Sequence, residues 1–413
     1  MQDSAPTPGA RRTAVRLIRG PVQRFIATET SGAVILLGGL AIALGWANSP
    51  WAEGYHHLLE QHIRVDLGMW SIDKDVHFWL SDALMTVFFF VVGLEIKREV
   101  VAGELAHLRQ AVIPIAGAIG GMALPALIYL AMVRGGPGSQ GWGVPVATDI
   151  AFALGVLMLA GSRVPFALKV MLLALAITDD IGGILIIAIF YSDGLAVGAL
   201  ALAGAILLLC YVLRRAGVWY LPVYVALGVV GWAATLESGI HPTIFGVALG
   251  LLTPWQARRP VGAIEVPAEA SPLERLEKAL NPISAFLIAP LFAFANAGVA
   301  VDASTLSEAL RAPVAQGIFL GLILGKPLGI LLAIRIAVAL GARLPEGVGW
   351  GSITGLGIVA GIGFTVALFI AGLSFEEAGL LTDAKLGILA ASLVAGILGW
   401  TMLRLVHAPR ASA

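Results

Sequence analysis

The sequence has few of the residues that disulfide-bonded, metal-binding or nucleic-acid-binding proteins need. Cys210 is the only cysteine among 413 residues, so the chain cannot form an internal disulfide, and this cysteine gives no evidence of a cysteine-based metal site. Charged residues make up only 13% of the chain, and 26 basic residues balance 26 acidic ones. This balance excludes the basic surface of a nucleic-acid-binding protein and the charge excess of a disordered tail. No nucleic-acid partner and no cofactor is expected.

Apolar residues are in excess instead. They make up 58% of the chain, and the mean hydropathy is +0.90. The chain also has 50 glycines and 21 prolines, which are frequent where membrane helices pack closely or break. The composition therefore predicts a protein of the lipid bilayer.

Twelve apolar segments are each about long enough to cross roughly 30 Å of hydrocarbon. We expect an all-α membrane protein with 12 transmembrane helices in a single domain, 31–405, between a cytoplasmic N-terminal segment, 1–30, and a cytoplasmic C-terminal tail, 406–413. The segments lie near 31–48, 78–96, 111–133, 142–161, 165–191, 195–213, 219–236, 239–254, 284–301, 313–339, 348–374 and 384–405.

The distribution of basic residues predicts the orientation. An even number of spans places both termini on one side, and that side collects 20 of the 26 lysines and arginines, whereas the other side has five. Because such residues are retained in the cytoplasm, both termini are expected there. The remaining basic residue is Lys326, in the middle of the tenth segment.

Two connections are long enough to have structure of their own. Residues 63–77 (IRVDLGMWSIDKDVH) alternate around a glycine and predict a short extramembrane β-hairpin, or an ordered loop. The unpaired edge of such a hairpin favours pairing with a second copy, as in a homodimer. Residues 255–283 form a cytoplasmic connection that ends in SPLERLEKALNP, which is typical of a short amphipathic helix.

Four ionisable residues lie at mid-span, where charge is costly and usually functional. They are Asp149, Asp179, Asp180 and Lys326. Neighbouring residues of a helix point about 100° apart, so Asp179 and Asp180 must have different surroundings. We expect one of them to face a water-filled funnel and bind a cation, and the other to lie near Lys326 or the same ion. A buried ion pair that only fixes helix packing is the alternative.

Helix breakers accompany these charges. The fourth segment contains Pro145 and the eleventh a run of glycines, so two interrupted helices are predicted. The ends of interrupted helices carry partial charges in a low dielectric. Asp149 and Lys326 are suited to neutralise them. Close helix packing through small residues is the alternative role of the glycines, and it is compatible with the breaks. The breakers are Gly143, Pro145 and Gly155 in the fourth segment and Gly355, Gly357, Gly361 and Gly363 in the eleventh.

The ligand types favour a small hard cation. Carboxylate, hydroxyl and carbonyl oxygens suit Na⁺ or Li⁺. The segments that contain the four ionisable residues have no histidine or cysteine that could bind zinc or copper. A buried carboxylate binds either a proton or such a cation, and competition for one site is exchange. If two protons leave when one Na⁺ binds, each cycle moves net charge. Lys326 either titrates in the cycle or is structural.

Six sequence motifs resemble the NhaA family of bacterial Na⁺/H⁺ antiporters, over about residues 25–405. They are GLEIKRE, ATDIAFALG, AITDDIGG, PLFAFANAGV, LGKPLGI and AGIGFTVALFIAGL. The resemblance implies a transporter rather than an enzyme, in the bacterial inner membrane, that exports Na⁺ and Li⁺ for periplasmic protons under pH regulation. It also implies an inverted-topology repeat of spans three to five and ten to twelve, with broken helices in spans 4 and 11.

The resemblance also assigns residues. It implies Asp180 as the principal Na⁺ and H⁺ ligand, Asp179 as its partner, Thr148 and Asp149 at the helix crossing, and Lys326 as the balancing charge. For pH sensing it implies Glu95, Arg98, Glu99 and Glu277 at the funnel mouth, with His241 as a further candidate. Ordinary interfacial salt bridges are the alternative. This chain has Lys278 and Asn281 where well-known members have histidines, which puts the pH range in doubt.

Three other functions fit part of the pattern. A passive cation channel and a sodium-coupled symporter could use the same architecture. An intramembrane aspartyl protease also needs two membrane carboxylates, but Lys326 would neutralise the pair and no GxGD-like motif surrounds either acid.

Overall fold

The computed structural model describes residues 31–66, 71–161, 163–192, 194–218, 220–255 and 271–408. The predicted cytoplasmic segment 1–30, the first part of the 255–283 connection and the last residues of the 406–413 tail lie outside the described residues.

The described stretches fold mainly into helices, with one two-stranded sheet. A helix that contains a π-helical turn is counted as one. The elements are α1 Ser31–Ala47, α2 Ala52–Glu60, β1 His62–Asp66, β2 Ser71–Asp75, α3 Val76–Ala102, α4 Leu108–Val133, α5 Ile150–Leu159, α6 Phe166–Phe190, α7 Val197–Arg215, α8 Leu221–Glu237, α9 Thr243–Leu252, α10 Pro272–Asn296, α11 Ala303–Ala309, α12 Pro313–Ala339, α13 Trp350–Ala360, α14 Phe364–Ser374 and α15 Ala378–Val406, with short 3₁₀ segments at Glu104–Ala106 and Ser139–Val146.

All twelve apolar segments coincide with helices, but helix length does not establish twelve spans. Among the described residues, seven helices are long and apolar enough to cross a membrane, and counting each of three bent pairs as one span gives up to 10. Helices α8 and α9 are shorter. A helix rises about 1.5 Å per residue, so the 10 residues of α9 cover about half of the hydrocarbon. The structure therefore shows a multi-pass helical protein.

The fourth and eleventh segments are interrupted, as predicted. The 3₁₀ segment Ser139–Val146 meets α5 at a bend of 41°, and α13 meets α14 at a bend of 44°. The two breaks face each other, because the backbone N–H of Asp149 donates to the carbonyl oxygen of Ile362 at 2.7 Å. Two extended or irregular segments thus cross inside the helical bundle.

The glycines of the eleventh segment have two different roles. Gly361 and Gly363 lie at the break, and a Cβ on Gly361 would stand 2.5 Å from the carbonyl oxygen of Leu322. Gly355 and Gly357 lie within α13 instead. A Cβ on Gly357 would be 3.0 Å from the Cα of Pro327, so this glycine allows α13 to pack closely on α12.

Helix α12 has one face in the protein core and one directed outward. Ile330 and Ile334 are fully buried, while Leu328, Leu332 and Ile336 are each more than half exposed. A row of exposed leucine and isoleucine is unfavourable in water and favourable against lipid tails. The outer surface of the bundle is thus suited to hydrocarbon.

The predicted hairpin is present as an antiparallel pair, with Arg64 opposite Asp73 in its register. The second strand ends earlier than expected, at Asp75. The carboxylate of Asp75 accepts a hydrogen bond from the backbone N–H of Phe78 at 2.7 Å. Such a cap starts a helix, and residues 76 and 77 therefore belong to α3.

Helix α10 begins earlier than the apolar pattern indicated. Ser271 and Glu274 form a reciprocal capping box, which satisfies the first backbone N–H groups. From there the helix runs through a π-helical turn, Ser284–Ile288, and ends at Asn296. The amphipathic segment and the ninth apolar segment are thus one continuous helix, and residues 297–301 lie outside it.

Candidate ion-binding site

The site lies where the two breaks meet the middle of α6 and α12. Helix α6 contributes Asp179 and Asp180, the break before α5 contributes Thr148 and Asp149, and α12 contributes Lys326. All five side chains are buried. Three acidic groups and one basic group are therefore brought together away from bulk water.

Asp179 forms an ion pair with the lysine. Its Oδ2 lies 2.7 Å from the Nζ of Lys326, and both side chains are fully buried. The same oxygen accepts from the hydroxyl of Thr148 at 2.8 Å, while Asp179 Oδ1 has no partner among the described residues. The Thr148 oxygen is also 2.9 Å from the carbonyl of Ala360. Because a hydroxyl carries a single proton, Thr148 donates to one of these acceptors at a time.

Lys326 also contacts the end of the 3₁₀ segment. Its ammonium group donates to the backbone carbonyl of Val146, the last residue of that segment. The C-terminal end of a helical segment carries partial negative charge. Lys326 is thus placed against both a carboxylate and a negative backbone end.

Asp149 connects the beginnings of two helices. Its Oδ1 accepts from the backbone N–H of Phe152 at 3.0 Å and so caps α5. Its Oδ2 accepts from the backbone N–H of Thr365 at 3.1 Å and from the Thr365 hydroxyl at 2.6 Å. Helix N-termini are partially positive, so the carboxylate lies between two such ends.

Asp180 differs from the other two acids because it has no hydrogen-bond or ion-pair partner within the described residues. It lines a cavity of about 40 Å³, which exceeds the roughly 10–15 Å³ that one water molecule needs. The polar groups around the cavity are Glu95, Thr148, Asp149, Asp180, Asn281, Ser284 and Thr365. The other lining residues are apolar. One carboxylate is therefore available to a ligand in a small cavity that also has several oxygen donors.

Four of the proposed pH-sensing residues lie together. Arg98 of α3 forms an ion pair with Glu277 of α10, and Glu95 lines the cavity. The carboxylate of Glu99 accepts from the backbone N–H of Glu104 at 2.7 Å. These groups form a largely buried charged cluster, and Glu95 connects it to the cavity.

His241 lies elsewhere. Its Nε2 is 3.4 Å from a carboxylate oxygen of Asp82, and its Nδ1 is 2.8 Å from the hydroxyl of Thr243. Residues 82 and 95 belong to the same helix, and 13 residues at about 1.5 Å each separate them by about 20 Å. The structure therefore does not bring His241 to the cluster around Glu95.

The donors available to a ligand are oxygens. In the described part of the chain, no group of three or more His, Cys, Asp and Glu side chains is arranged to hold a metal ion. The cavity instead has carboxylate, hydroxyl and amide groups, which suit a hard cation.

Sequence reasoning missed three of the polar residues that line the cavity. Thr365, which donates to Asp149, directly follows the glycine break and Phe364, and a hydroxyl residue in the first turn of an interrupted helix is the signal that could have identified it. Asn281 was noted only as a replacement for histidine. Ser284 gave no signal, because its position depends on the π-helical turn.

Buried carboxylates and a lysine, placed where two broken helices cross in a multi-pass helical bundle, define a secondary ion transporter. A family model described as Na⁺/H⁺ antiporter 1 matches residues 23–403. The chain belongs to this family of antiporters.

Curated relatives agree with the family model. The Na⁺/H⁺ antiporter NhaA 2 of Sorangium cellulosum is 46% identical, over 97% of this chain and 92% of its own. The Na⁺/H⁺ antiporter NhaA of Oleidesulfovibrio alaskensis is 44% identical, over 97% of both chains. That of Escherichia coli O1:K1 is 46% identical, over 93% of this chain and 97% of its own.

Proposed function

We propose that this protein is an electrogenic Na⁺/H⁺ antiporter that exports Na⁺, and Li⁺, from the cytoplasm in exchange for periplasmic protons. The observation that supports it best is the contrast between the two neighbouring acids. The carboxylate of Asp180 has no partner among the described residues and lines a cavity, while Asp179 is paired with a buried lysine. Family membership supports the choice of ions.

The charges of the site account for electrogenic exchange. With all groups ionised, three carboxylates and Lys326 leave two net negative charges. One Na⁺ reduces this to one, and two protons reduce it to zero. The loaded forms thus differ by one charge, so each cycle moves one charge across the membrane. A membrane potential contributes about 2.3 kcal/mol per charge for each 100 mV, which favours proton uptake and Na⁺ export when the cytoplasm is negative.

Asp180 carries one proton in this scheme, and the ion pair of Asp179 and Lys326 carries the second. Asp179 is not part of the cavity wall, but it directly precedes Asp180, and its Oδ2 accepts from the hydroxyl of Thr148, which does line the cavity. Binding of the cation therefore favours the ionised form of both acids and displaces both protons. Lys326 either releases the second proton or only stabilises Asp179 as it does so.

The crossing of the two broken helices provides the moving part. Asp149 and Lys326 neutralise the helix ends, which keeps the crossing stable while the bundle changes shape. We propose twelve spans, with α8 and α9 completing the count, and an inverted-topology relation between the third to fifth and the tenth to twelfth spans. Both termini lie in the cytoplasm in this arrangement.

The cavity argues against a symporter for organic substrates. Pockets for such molecules measure about 300–1,000 Å³, whereas the cavity at Asp180 measures about 40 Å³. A small ion fits this space and an amino acid or sugar does not.

Regulation and assembly are further parts of the proposal. The cluster of Glu95, Arg98, Glu99 and Glu277 reaches the cavity through Glu95, so that a change in its charge alters access to Asp180. His241, next to Asp82, is a separate candidate for pH sensing. The pair of β1 and β2 is extramembrane and has a free edge for a homodimer contact.

Exchange can be tested in proteoliposomes with a pH gradient and a pH-sensitive dye inside. Addition of Na⁺ or Li⁺ should collapse the gradient and move charge, while K⁺ should not. An ion conductance that is independent of the pH gradient would instead indicate a channel.

A further inference from the structure

We propose that Asn281 and Ser284 form a neutral step on the cation pathway, at which Na⁺ loses part of its water shell before it reaches Asp180. The inference rests on the proposed function and assigns two residues that control the apparent affinity for the cation. They act on the cation and not on the protons.

Both side chains are buried yet unpaired. Asn281 is 8% exposed and Ser284 5% exposed, and neither side chain makes a hydrogen bond within the described residues. Both line the same cavity as Asp180. In the described part of the chain, the one fully enclosed polar side-chain atom without a partner is Asp179 Oδ1, so the polar atoms of Asn281 and Ser284 keep access to the cavity that they line. Polar groups without a fixed partner at a cavity wall are suited to bind what passes through it.

The local backbone explains why Ser284 is available. Serine and threonine in these helices usually donate to a carbonyl four residues earlier, as Thr178 does to Ala174 at 2.7 Å and Ser374 to Ile370 at 2.7 Å. Ser284 does not. It is the first residue of the π-helical turn of α10, and such turns frequently occur at functional sites. The hydroxyl is therefore left without a partner in the described part of the chain, on a residue of the cavity wall.

The chemistry of the two groups separates them from the titrating site. The amide oxygen of Asn281 and the hydroxyl oxygen of Ser284 coordinate hard cations but do not titrate in the physiological range. Glu95, on α3, supplies negative charge at the same cavity. A cation that leaves bulk water thus meets two neutral oxygens and an acid before Asp180, whereas protons do not need the neutral oxygens.

The test measures exchange in proteoliposomes as a function of Na⁺ concentration. Ser284→Ala and Asn281→Leu should each raise the half-saturating Na⁺ concentration several-fold, and the double variant more. The maximal rate should stay within about twofold of the wild type, because Asp180 is intact. The pH profile at saturating Na⁺ should also stay unchanged. Ser284→Thr keeps the oxygen and should restore the wild-type value.

Ser352→Ala is the matched control, because Ser352 is a buried serine of α13 that contacts His407 and does not line this cavity. It should leave the half-saturating concentration unchanged. Wild-type values in Ser284→Ala and Asn281→Leu would overturn the inference while exchange by the wild type still supported the proposed function. A fall in maximal rate at constant half-saturation would also overturn it, since it indicates a structural role. Failure of the wild type to exchange would overturn both.

Discussion

At the scale of single residues, Asp179 and Asp180 are neighbours with opposite surroundings. The first is held by Lys326 and Thr148, and the second faces the cavity alone. The 100° step between adjacent helical residues requires such a difference. The residues alone could therefore predict that the two acids have different roles. They could not predict which acid forms the ion pair with the lysine, because that depends on the rotation of α6 about its axis.

Asp180→Asn should abolish Na⁺-dependent exchange and leave the fold intact. Asparagine cannot be ionised, so it has no proton to release and no full negative charge with which to bind Na⁺. Gel filtration and thermal unfolding check the fold, and proteoliposome transport measures activity. Asp179→Asn should be nearly as damaging. Full activity of Asp180→Asn would show that exchange does not require the carboxylate of Asp180.

Lys326→Arg should damage transport less than Lys326→Ala. Arginine keeps the charge beside Asp179 but not the compact ammonium geometry. Alanine leaves a buried carboxylate without its partner, a change that costs about 3–5 kcal/mol in buried pairs, so the melting temperature should fall clearly. If both variants transported and melted like the wild type, Lys326 would neither balance charge nor carry a proton.

Glu104 provides a prediction about pH and stability. It lies between α3 and α4, and burial and the nearby Glu99 raise its pKa, an effect that His107 partly offsets. An acid whose pKa is raised in the folded state contributes stability at low pH that is lost as the pH rises through the folded pKa. Glu104→Gln should therefore raise the melting temperature more at pH 8.5 than at pH 4.5. Glu60→Gln, at an exposed position, is the control and should show no such difference.

At the scale of elements, the two breaks are joined mainly through one residue, Asp149, whose backbone N–H also donates to Ile362. Asp149 caps α5 and also accepts two hydrogen bonds from Thr365 at the start of α14. Glycine and proline in the fourth and eleventh segments were sufficient to predict the interruptions. The crossing of the breaks was not readable from the residues alone, because the pairing of Asp149 with Ile362 and Thr365 joins segments about 215 residues apart.

Asp149→Ala should destabilise both helix starts. The loss of one helix cap costs about 1 kcal/mol, and two are lost here, so the melting temperature should fall more than in Thr365→Val, which removes only the hydroxyl. Thermal unfolding in detergent measures both. An equal melting temperature for Asp149→Ala and the wild type would contradict the bridging role.

At the scale of the whole molecule, hydropathy and basic residues predict the layout. Apolar runs located every long helix, yet the amphipathic helix at SPLERLEKALNP and the ninth apolar segment were predicted as separate elements, whereas the structure joins them in α10. The first turns of α10 are amphipathic, which is typical of a surface segment. The short α9 shows why the number of spans cannot be read from apolar length alone. The cavity also could not be predicted from the sequence, because its wall is formed by residues from α3, α6, α10 and both breaks.

The proposed orientation can be tested with single cysteines in a Cys210→Ala background. A cysteine at the exposed position Glu346, between α12 and α13, should react with a membrane-impermeant reagent only from the cytoplasmic side. A cysteine at the exposed position Ser307 of α11 should react only from the periplasmic side. The reverse pattern would invert the topology and the direction of transport.

The central claim is that the site at Asp180 holds either protons or one Na⁺. The most direct measurement is proton release when Na⁺ is added to the purified protein in weak buffer, with bound Na⁺ counted in parallel. The ratio should approach two protons per Na⁺ as the starting pH is lowered, and release should vanish in Asp180→Asn. Binding of Na⁺ to the wild type without release of protons at any pH would contradict the account.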